Sequence, residues 1–196
     1  MSSHFRADDP GSLVEHIEAR RAGALRPFCV ALDGRSGSGK STLAQRLVTA
    51  LDAALIDGDG FFAGGTSLRR DTPERRAQDC IDWRRQRTVI ETLLAGHAAR
   101  YRAFDWQAFD GSLETEPTVV EARPIVILEG VYAARSELAD LLDLRVLLRV
   151  ADDLRIARLL AREQTLTAWD LQWHEAEDWY FGHAAPPAGF EIIVEG

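Results

Sequence analysis

Residues 34–41 read GRSGSGKS, which fits the spacing G-x-x-x-x-G-K-[ST]. Each residue type in it meets a need of phosphate chemistry. Glycines at 34, 37 and 39 (Gly34, Gly37, Gly39) let successive backbone N–H groups turn inward around phosphate oxygens. Lys40 brings a compact charge to the β- and γ-phosphates, and the Ser41 hydroxyl can ligate Mg²⁺. Ser36, Ser38 and Thr42 complete the polar surround. Of 23 basic residues Lys40 is the single lysine, so a chain that otherwise uses arginine keeps a mobile point charge at this one place. The pattern carries weight only between a strand and a helix. Residues 27–34, PFCVALDG, form an apolar run ending in glycine, and residues 40–53 put Leu43, Leu47, Val48 and Leu51 on one helical face. That context argues against the bland alternative, a Gly/Ser-rich turn that binds nothing.

Further residues able to do chemistry fall downstream. Asp57 and Asp59 stand two apart in LIDGDGFF, at the end of a second short strand. Glu129 closes the apolar run RPIVILEG (123–130). Arg155, Arg158 and Arg162 recur at i, i+3 and i+7, on one face of a helix. Ligands of open parallel sheets bind beyond the carboxyl ends of the strands, and the phosphate loop, Asp59 and Glu129 all follow such ends. The plainer readings are a turn-forming Asp before Gly60, an acid at a strand tip, and a solvated helix pairing its arginines with Asp152, Asp153 and Glu163.

The scaffold that must position these groups is an alternation. A helix over 12–23 is expected, capped at Ser12 and stopped at Gly23, then the strand 27–34, the helix from Lys40 and the strand ALIDGD (54–59). Asp82 can cap a helix running to Gly96, and strands follow at 123–130 and 142–150. Helices over 152–164 and 167–181 and a last strand, GFEIIVEG, close the chain. Nearly continuous apolar strands between helices mean a parallel sheet covered on both faces. The expected fold is α/β, a P-loop NTPase-type three-layer sandwich with a five-stranded parallel sheet and a helical lid. The 196 residues suit one domain, with 104–122 as a polar insertion or hairpin and 152–181 as the lid and following helix.

Composition narrows the partners. A net charge of −8 argues against a general nucleic-acid binder, because neutralising phosphates takes a cationic surface. No apolar run reaches the roughly 20 residues of a membrane span, and the polar start MSSHFRADDPG has no signal-peptide core. Cys29 and Cys80 have no metal-like spacing, and a reducing cytoplasm fits such a chain. A GTPase would read guanine with a second lysine, which is not here, so a small-molecule kinase is the leading class.

With these motifs in place, the chain resembles the uridine kinase and phosphoribulokinase family of P-loop kinases. The markers run from Pro27 to the C-terminus: GRSGSGKST, DGDGFF, DWRRQR, YRAFDW, ILEGVYA, LRIARLLARE and FEIIVEG. The resemblance implies ATP and Mg²⁺ as cofactors, with Ser41, Asp59 and Glu129 around the metal, or Glu129 at the acceptor site. It implies Asp59 as the base facing an acceptor hydroxyl, with Phe62 beside it and Asp57 as structural support. Arg155, Arg158 and Arg162 match the lid arginines that stabilise charge on the transferring phosphoryl group, and Arg158 could also stack on adenine. Catalysis would fall to Asp59, Lys40, Arg158 and Arg162. The acceptor would meet Asp82, in CIDWRR where the family has Phe-Asp-His-Pro, or Asp82 simply caps its helix. Tyr101 matches an aromatic that contacts the base, while the histidine expected after it is replaced around FDW, which ends at Trp106. The Arg-Gly-Arg-Asp lid motif is replaced by REQTLTAW. Trp169, Trp173 and Glu177 fall four apart on one helix face, lining the acceptor pocket or filling the core.

The expectation is transfer of the γ-phosphate of ATP to a primary hydroxyl of a small molecule, with uridine or cytidine as the default acceptor. Pantothenate, a sugar, nicotinamide riboside or an antibiotic are alternative acceptors, and an ATP-sensing module that transfers nothing is the alternative class. Neither a nucleic acid nor a membrane is expected as partner; a homo-oligomer is left open.

Overall fold

The computed structural model describes residues 2–196. β1 (Ser3–Arg6) leads into α1 (Pro10–Arg21), β2 (Phe28–Asp33), α2 (Lys40–Leu51) and β3 (Ala54–Asp57). Then come α3 (Pro73–Asp79), α4 (Trp83–Leu94), the short strands β4 (Ala99–Tyr101) and β5 (Thr118–Val120), and β6 (Ile125–Glu129). β7 (Leu144–Arg149), α5 (Asp152–Glu163), α6 (Ala168–Trp179) and β8 (Ile192–Glu195) complete the chain.

Every residue of β2 and of β6 is buried, as strands covered on both faces must be. Their side chains alternate between two cores. Val30, Leu32, Ile125 and Ile127 face α1 and α2 and pack with Leu13, Ile17, Leu43 and Leu47. Cys29, Ala31, Val126 and Leu128 face the other way, toward Val89, Ile90 and Leu93 of α4 and Trp173 and Ala176 of α6. The layers are therefore helix, sheet, helix.

The sheet has six parallel strands in the order β1-β8-β7-β2-β6-β3, one more than the five expected. The extra strand is β1, which pairs with β8 from Ser3↔Ile192 to Arg6↔Glu195. Its sequence, SHFR, has no apolar run because an edge strand is held by one backbone ladder and leaves its side chains exposed. α1 also starts earlier than the Ser12 cap implied. It begins at Pro10, a residue suited to a first helical turn, and Ser12 lies inside it with its hydroxyl donating to Asp9 Oδ2 at 3.1 Å. The segment 104–122 belongs to a hairpin that opens earlier, with β4 and β5 antiparallel from Ala99↔Val120 to Tyr101↔Thr118 and a further bridge at Phe104↔Leu113.

β2 sits between β7 and β6, and the chain leaving it through α2 passes over β6 to reach β3. The carboxyl end of β2 is thus a switch point of the sheet, where ligands of such folds bind. No helix among the described residues is long and apolar enough to cross a membrane.

Candidate active site

The loop between β2 and α2 is shaped by its own glycines and braced from behind. Gly37 has φ +79°, and a Cβ there would stand 2.8 Å from the Arg155 carbonyl oxygen, so only glycine fits. Arg155 Nη1 donates to the Ser36 carbonyl at 3.3 Å, and Arg158 Nη1 donates to the Ser38 carbonyl at 2.9 Å. In a trans peptide the C=O and the next N–H point opposite ways. Holding those two carbonyls toward α5 therefore turns the N–H groups of Gly37 and Gly39 away from it. Lys40 is 7% exposed, and its Nζ donates to the Arg35 carbonyl at 3.2 Å. Ser38 is buried with no hydrogen-bond partner for its hydroxyl, while Ser41 and Thr42 open the helix in exposed positions.

Asp33, at the tip of β2, is fully buried and ties this loop to the rest of the site. Its Oδ1 accepts from Gly34 N at 2.8 Å and Tyr132 N at 3.1 Å; its Oδ2 accepts from Ala134 N and from the Tyr180 hydroxyl, both at 2.9 Å. Burial raises its pKa to about 6 against the pull of these donors. The sequence reading passed over it, although an acid ending the run PFCVALDG was a visible signal.

β3 and β6 carry the acids opposite the loop. Asp57 pairs in register with Glu129. A Cβ on Gly58 would lie 2.6 Å from the Glu129 carbonyl oxygen, so glycine is what allows the two strand ends to close up. The chain then turns through a 3-10 segment, Gly58–Phe61, capped by Asp57, whose Oδ1 accepts from Asp59 N at 3.0 Å. Asp57 thus holds the turn that presents Asp59. Burial raises the Glu129 pKa to about 7; Lys40 opposes this, and Asp59 and Asp57 add to it. Asp57 is raised as well, by burial and then by Asp59. Excess negative charge beside a phosphate loop is what a divalent cation would neutralise. Among the described residues no three of His, Cys, Asp and Glu converge on one point. Mg²⁺ in kinase sites takes one or two carboxylates and completes its shell with phosphate oxygens and water, so the donor set fits it.

Ser36 of the loop and the acids Asp57 and Asp59 open on one cleft of about 700 Å³, within the range of small-molecule sites; Glu129 stands behind them, in register with Asp57. Ser36, Asp57, Asp59, Phe62, Trp106 and Arg162 all line it. Trp106 is half exposed at the cleft, and its Nε1 donates to the Asp59 carbonyl at 3.3 Å. α6 supplies the opposite wall with Trp169, Trp173 and Glu177, so the stripe is both pocket wall and, at Trp173, core. Glu177 is 3% exposed and accepts from Ser36 N at 3.0 Å and from the Ser36 hydroxyl.

Other expected acceptor contacts lie elsewhere. Asp82 caps α4, accepting from Arg85 N at 3.2 Å, and does not line the cleft. Tyr101 is stacked on Phe61 at 4.5 Å between ring centroids, in the core, and burial raises its pKa to about 12. The three arginines also divide. Arg155 is buried behind the loop, Arg158 braces it, and Arg162 alone reaches the cleft.

Known proteins share this fold. The model of the phosphoribulokinase / uridine kinase family matches residues 29–171. The chain belongs to that family. Uridine kinase of Clostridium perfringens is 28% identical over 145 residues, covering 70% of this chain and 69% of the relative. Uridine kinase of Deinococcus deserti is 25% identical over 148 residues, covering 72% and 70%. Among solved structures, that of a possible uridine kinase from Bacillus stearothermophilus has a TM-score of 0.71 at 19% identity, over 95% of this chain and 97% of the other. D-glycerate 3-kinase from Cryptococcus neoformans has a TM-score of 0.63 at 12% identity, over 94% and 96%. The shared element is the fold of a P-loop kinase. The family match ends before Trp173 and Glu177.

Proposed function

We propose that this protein transfers the γ-phosphoryl group of ATP to a hydroxyl of a small molecule held between Asp59 and the aromatic wall of α6. One observation carries the reading: the phosphate loop and Asp59 open on the same cleft, and Ser36 and Asp59 both line it. The N–H groups of Gly37 and Gly39, set by Arg155 and Arg158, would receive phosphate oxygens, and Lys40 would neutralise their charge. Ser41, Asp59 and Glu129 would hold Mg²⁺. Bound there, the ion would supply positive charge that lowers the cost of charge developing on the phosphate oxygens. Asp59 would accept the acceptor's proton, and Arg162, swinging from Glu163, would stabilise the transferring group.

The names of the relatives make uridine and cytidine the first acceptors to test. Geometry favours a second reading, an acceptor other than a pyrimidine nucleoside. Asp82 is engaged as a helix cap and Tyr101 is stacked in the core, so neither reaches the cleft in which uracil and ribose would sit. An ADP-release assay over uridine, cytidine, sugars, hydroxy acids and amino alcohols tests both. Turnover on one of them, abolished in Asp59→Asn, supports kinase activity. ATP binding without turnover on any would leave a nucleotide-sensing module instead.

A further inference from the structure

α6 and the turn after it grip the first half of the phosphate loop at three successive points. The Tyr180 hydroxyl donates to Asp33 Oδ2 at 2.9 Å, and Arg35 Nη1 donates to Asp178. Glu177 accepts from Ser36 N at 3.0 Å and from the Ser36 hydroxyl. The Arg35 guanidinium also lies over the Phe181 ring, 5.6 Å from its centroid. Elsewhere α6 is fastened as well. Gln172 Oε1 accepts from Arg69 N at 2.8 Å, and Arg76 Nη2 donates to Glu175 at 2.5 Å. In a helix held at so many points, a single contact yields by rotation of its side chain.

The contact made by Glu177 is electrostatically unlike its neighbours. Arg35 and Asp178 form an ion pair, and Asp33 has four donors. Glu177 is buried, receives only the neutral N–H and hydroxyl of Ser36, and no ion pair reaches it among the described residues. Buried anions ordinarily have a cationic partner. This one also stands where a second anion is due. Of the loop residues, Ser36 lines the cleft shared with Asp59, whereas Arg35 and Ser38 line a separate cavity of about 300 Å³. On the kinase reading, the phosphoryl group that passes to the acceptor is the part of the triphosphate that enters this cleft. A diphosphate has no such group. Ser36 offers two donors there, and in the nucleotide-free protein a carboxylate takes both.

We propose that Glu177 stands in for the terminal phosphate, its carboxylate occupying the Ser36 donors until a triphosphate displaces it into the cleft. It is a positioning residue, acting through Ser36, and it sets how strongly the protein prefers a triphosphate to a diphosphate. This rests on the kinase reading above and adds a nucleotide-selecting residue to it. Two anions cannot share one pair of donors, and like charges brought together beside buried groups repel. The displaced carboxylate regains water in the open cleft, which offsets part of the cost of its two lost hydrogen bonds. The contact therefore lowers triphosphate affinity and leaves diphosphate affinity as it is.

A ratio of affinities tests the claim. Calorimetry on the full chain with Mg²⁺ would compare ADP with the non-hydrolysable β,γ-imido analogue of ATP. Glu177→Gln keeps the size of the side chain and removes its charge. In it we expect the analogue to bind about tenfold more tightly and ADP to change less than about twofold. Asp178→Asn removes a charge from the neighbouring contact and should leave the ratio within about twofold of wild type. Both nucleotides meet the same folded fraction, so a destabilised variant still reports the ratio. An unchanged ratio in Glu177→Gln, a weaker hold on the analogue, or a ratio widened as much by Asp178→Asn overturns the proposal. An ADP-release assay over the acceptor panel keeps the two readings apart. Turnover with an unwidened ratio retains the kinase and removes the stand-in. A widened ratio without turnover on any compound retains the stand-in and removes the kinase. Binding of neither nucleotide overturns both.

Discussion

The two ends of the cleft are built on different principles. At the end proposed for phosphate, the loop of residues 34–41 offers mostly backbone groups, and the side chains of Arg155 and Arg158 hold that backbone through the Ser36 and Ser38 carbonyls. At the end proposed for the acceptor, the lining groups are side chains drawn from the β3 turn, the hairpin and α6, as with Phe62, Trp106 and Trp169. A backbone cradle recognises what all nucleoside triphosphates share. A wall of side chains brought together from distant segments can change its ligand by substitution without disturbing the fold. The comparison teaches that family membership constrains the first end of this cleft far more than the second.

Breaking the phosphate end should have the largest effect. Lys40→Ala should lower transfer by on the order of 10²–10³-fold and weaken ATP binding together with it, measured by turnover and by nucleotide titration. Transfer lost with ATP affinity intact would assign Lys40 to the chemical step alone.

Glu129 stands beside Asp57 at the strand tips, and its effect is pH-dependent. Its folded pKa is raised from 4.5 to about 7, so the native state keeps a proton that the unfolded chain has lost. The stabilisation from that proton is complete below the unfolded pKa and disappears as pH rises through about 7, amounting to roughly 3 kcal/mol. Thermal denaturation of the nucleotide-free protein should therefore show stability falling over that window, with a flatter slope in Glu129→Gln. Mg²⁺·ATP binding, which needs the ionised carboxylate, should strengthen over the same window. A slope unchanged in Glu129→Gln would contradict the assignment.

Much of the phosphate end was legible in the sequence because its chemistry is local. A loop of fixed spacing between an apolar strand and a helix specifies itself, and Lys40 stood out as the single lysine. The alternation of strands and helices likewise implied a covered parallel sheet. β1 was not legible, because an edge strand needs only a backbone partner and SHFR carries no apolar pattern. Asp33 was missed because its partners, Tyr132, Ala134 and Tyr180, lie about a hundred residues or more away in sequence and no local rule connects them. At the acceptor end Asp82 had two readings on the page, and the structure shows the cap. Tyr101 was placed by resemblance, and packing against Phe61 takes it out of the cleft.

Smaller effects sharpen the division among the arginines and the acids. Arg162→Ala should slow turnover about tenfold to thirtyfold with little change in ATP affinity, because this side chain alone among the three reaches the cleft. Arg155→Ala should instead lower the melting temperature and weaken nucleotide binding, since it removes a buried brace of the loop. Equal kinetic behaviour of the two variants would erase the distinction. The smallest change is expected for Asp82→Ala, which should cost about 1 kcal/mol of stability through the lost cap and leave kcat and KM as they were. An acceptor KM raised tenfold would return Asp82 to the acceptor site.

The central claim is that one cleft joins a nucleotide-binding end to an acceptor end at Asp59. Asp59→Asn tests it most directly, with phosphoryl transfer and ATP affinity measured on the same preparation and with the best acceptor of the panel. The account predicts transfer reduced by on the order of 10²–10⁴-fold with ATP binding within about twofold of wild type. Wild-type turnover in Asp59→Asn would contradict it.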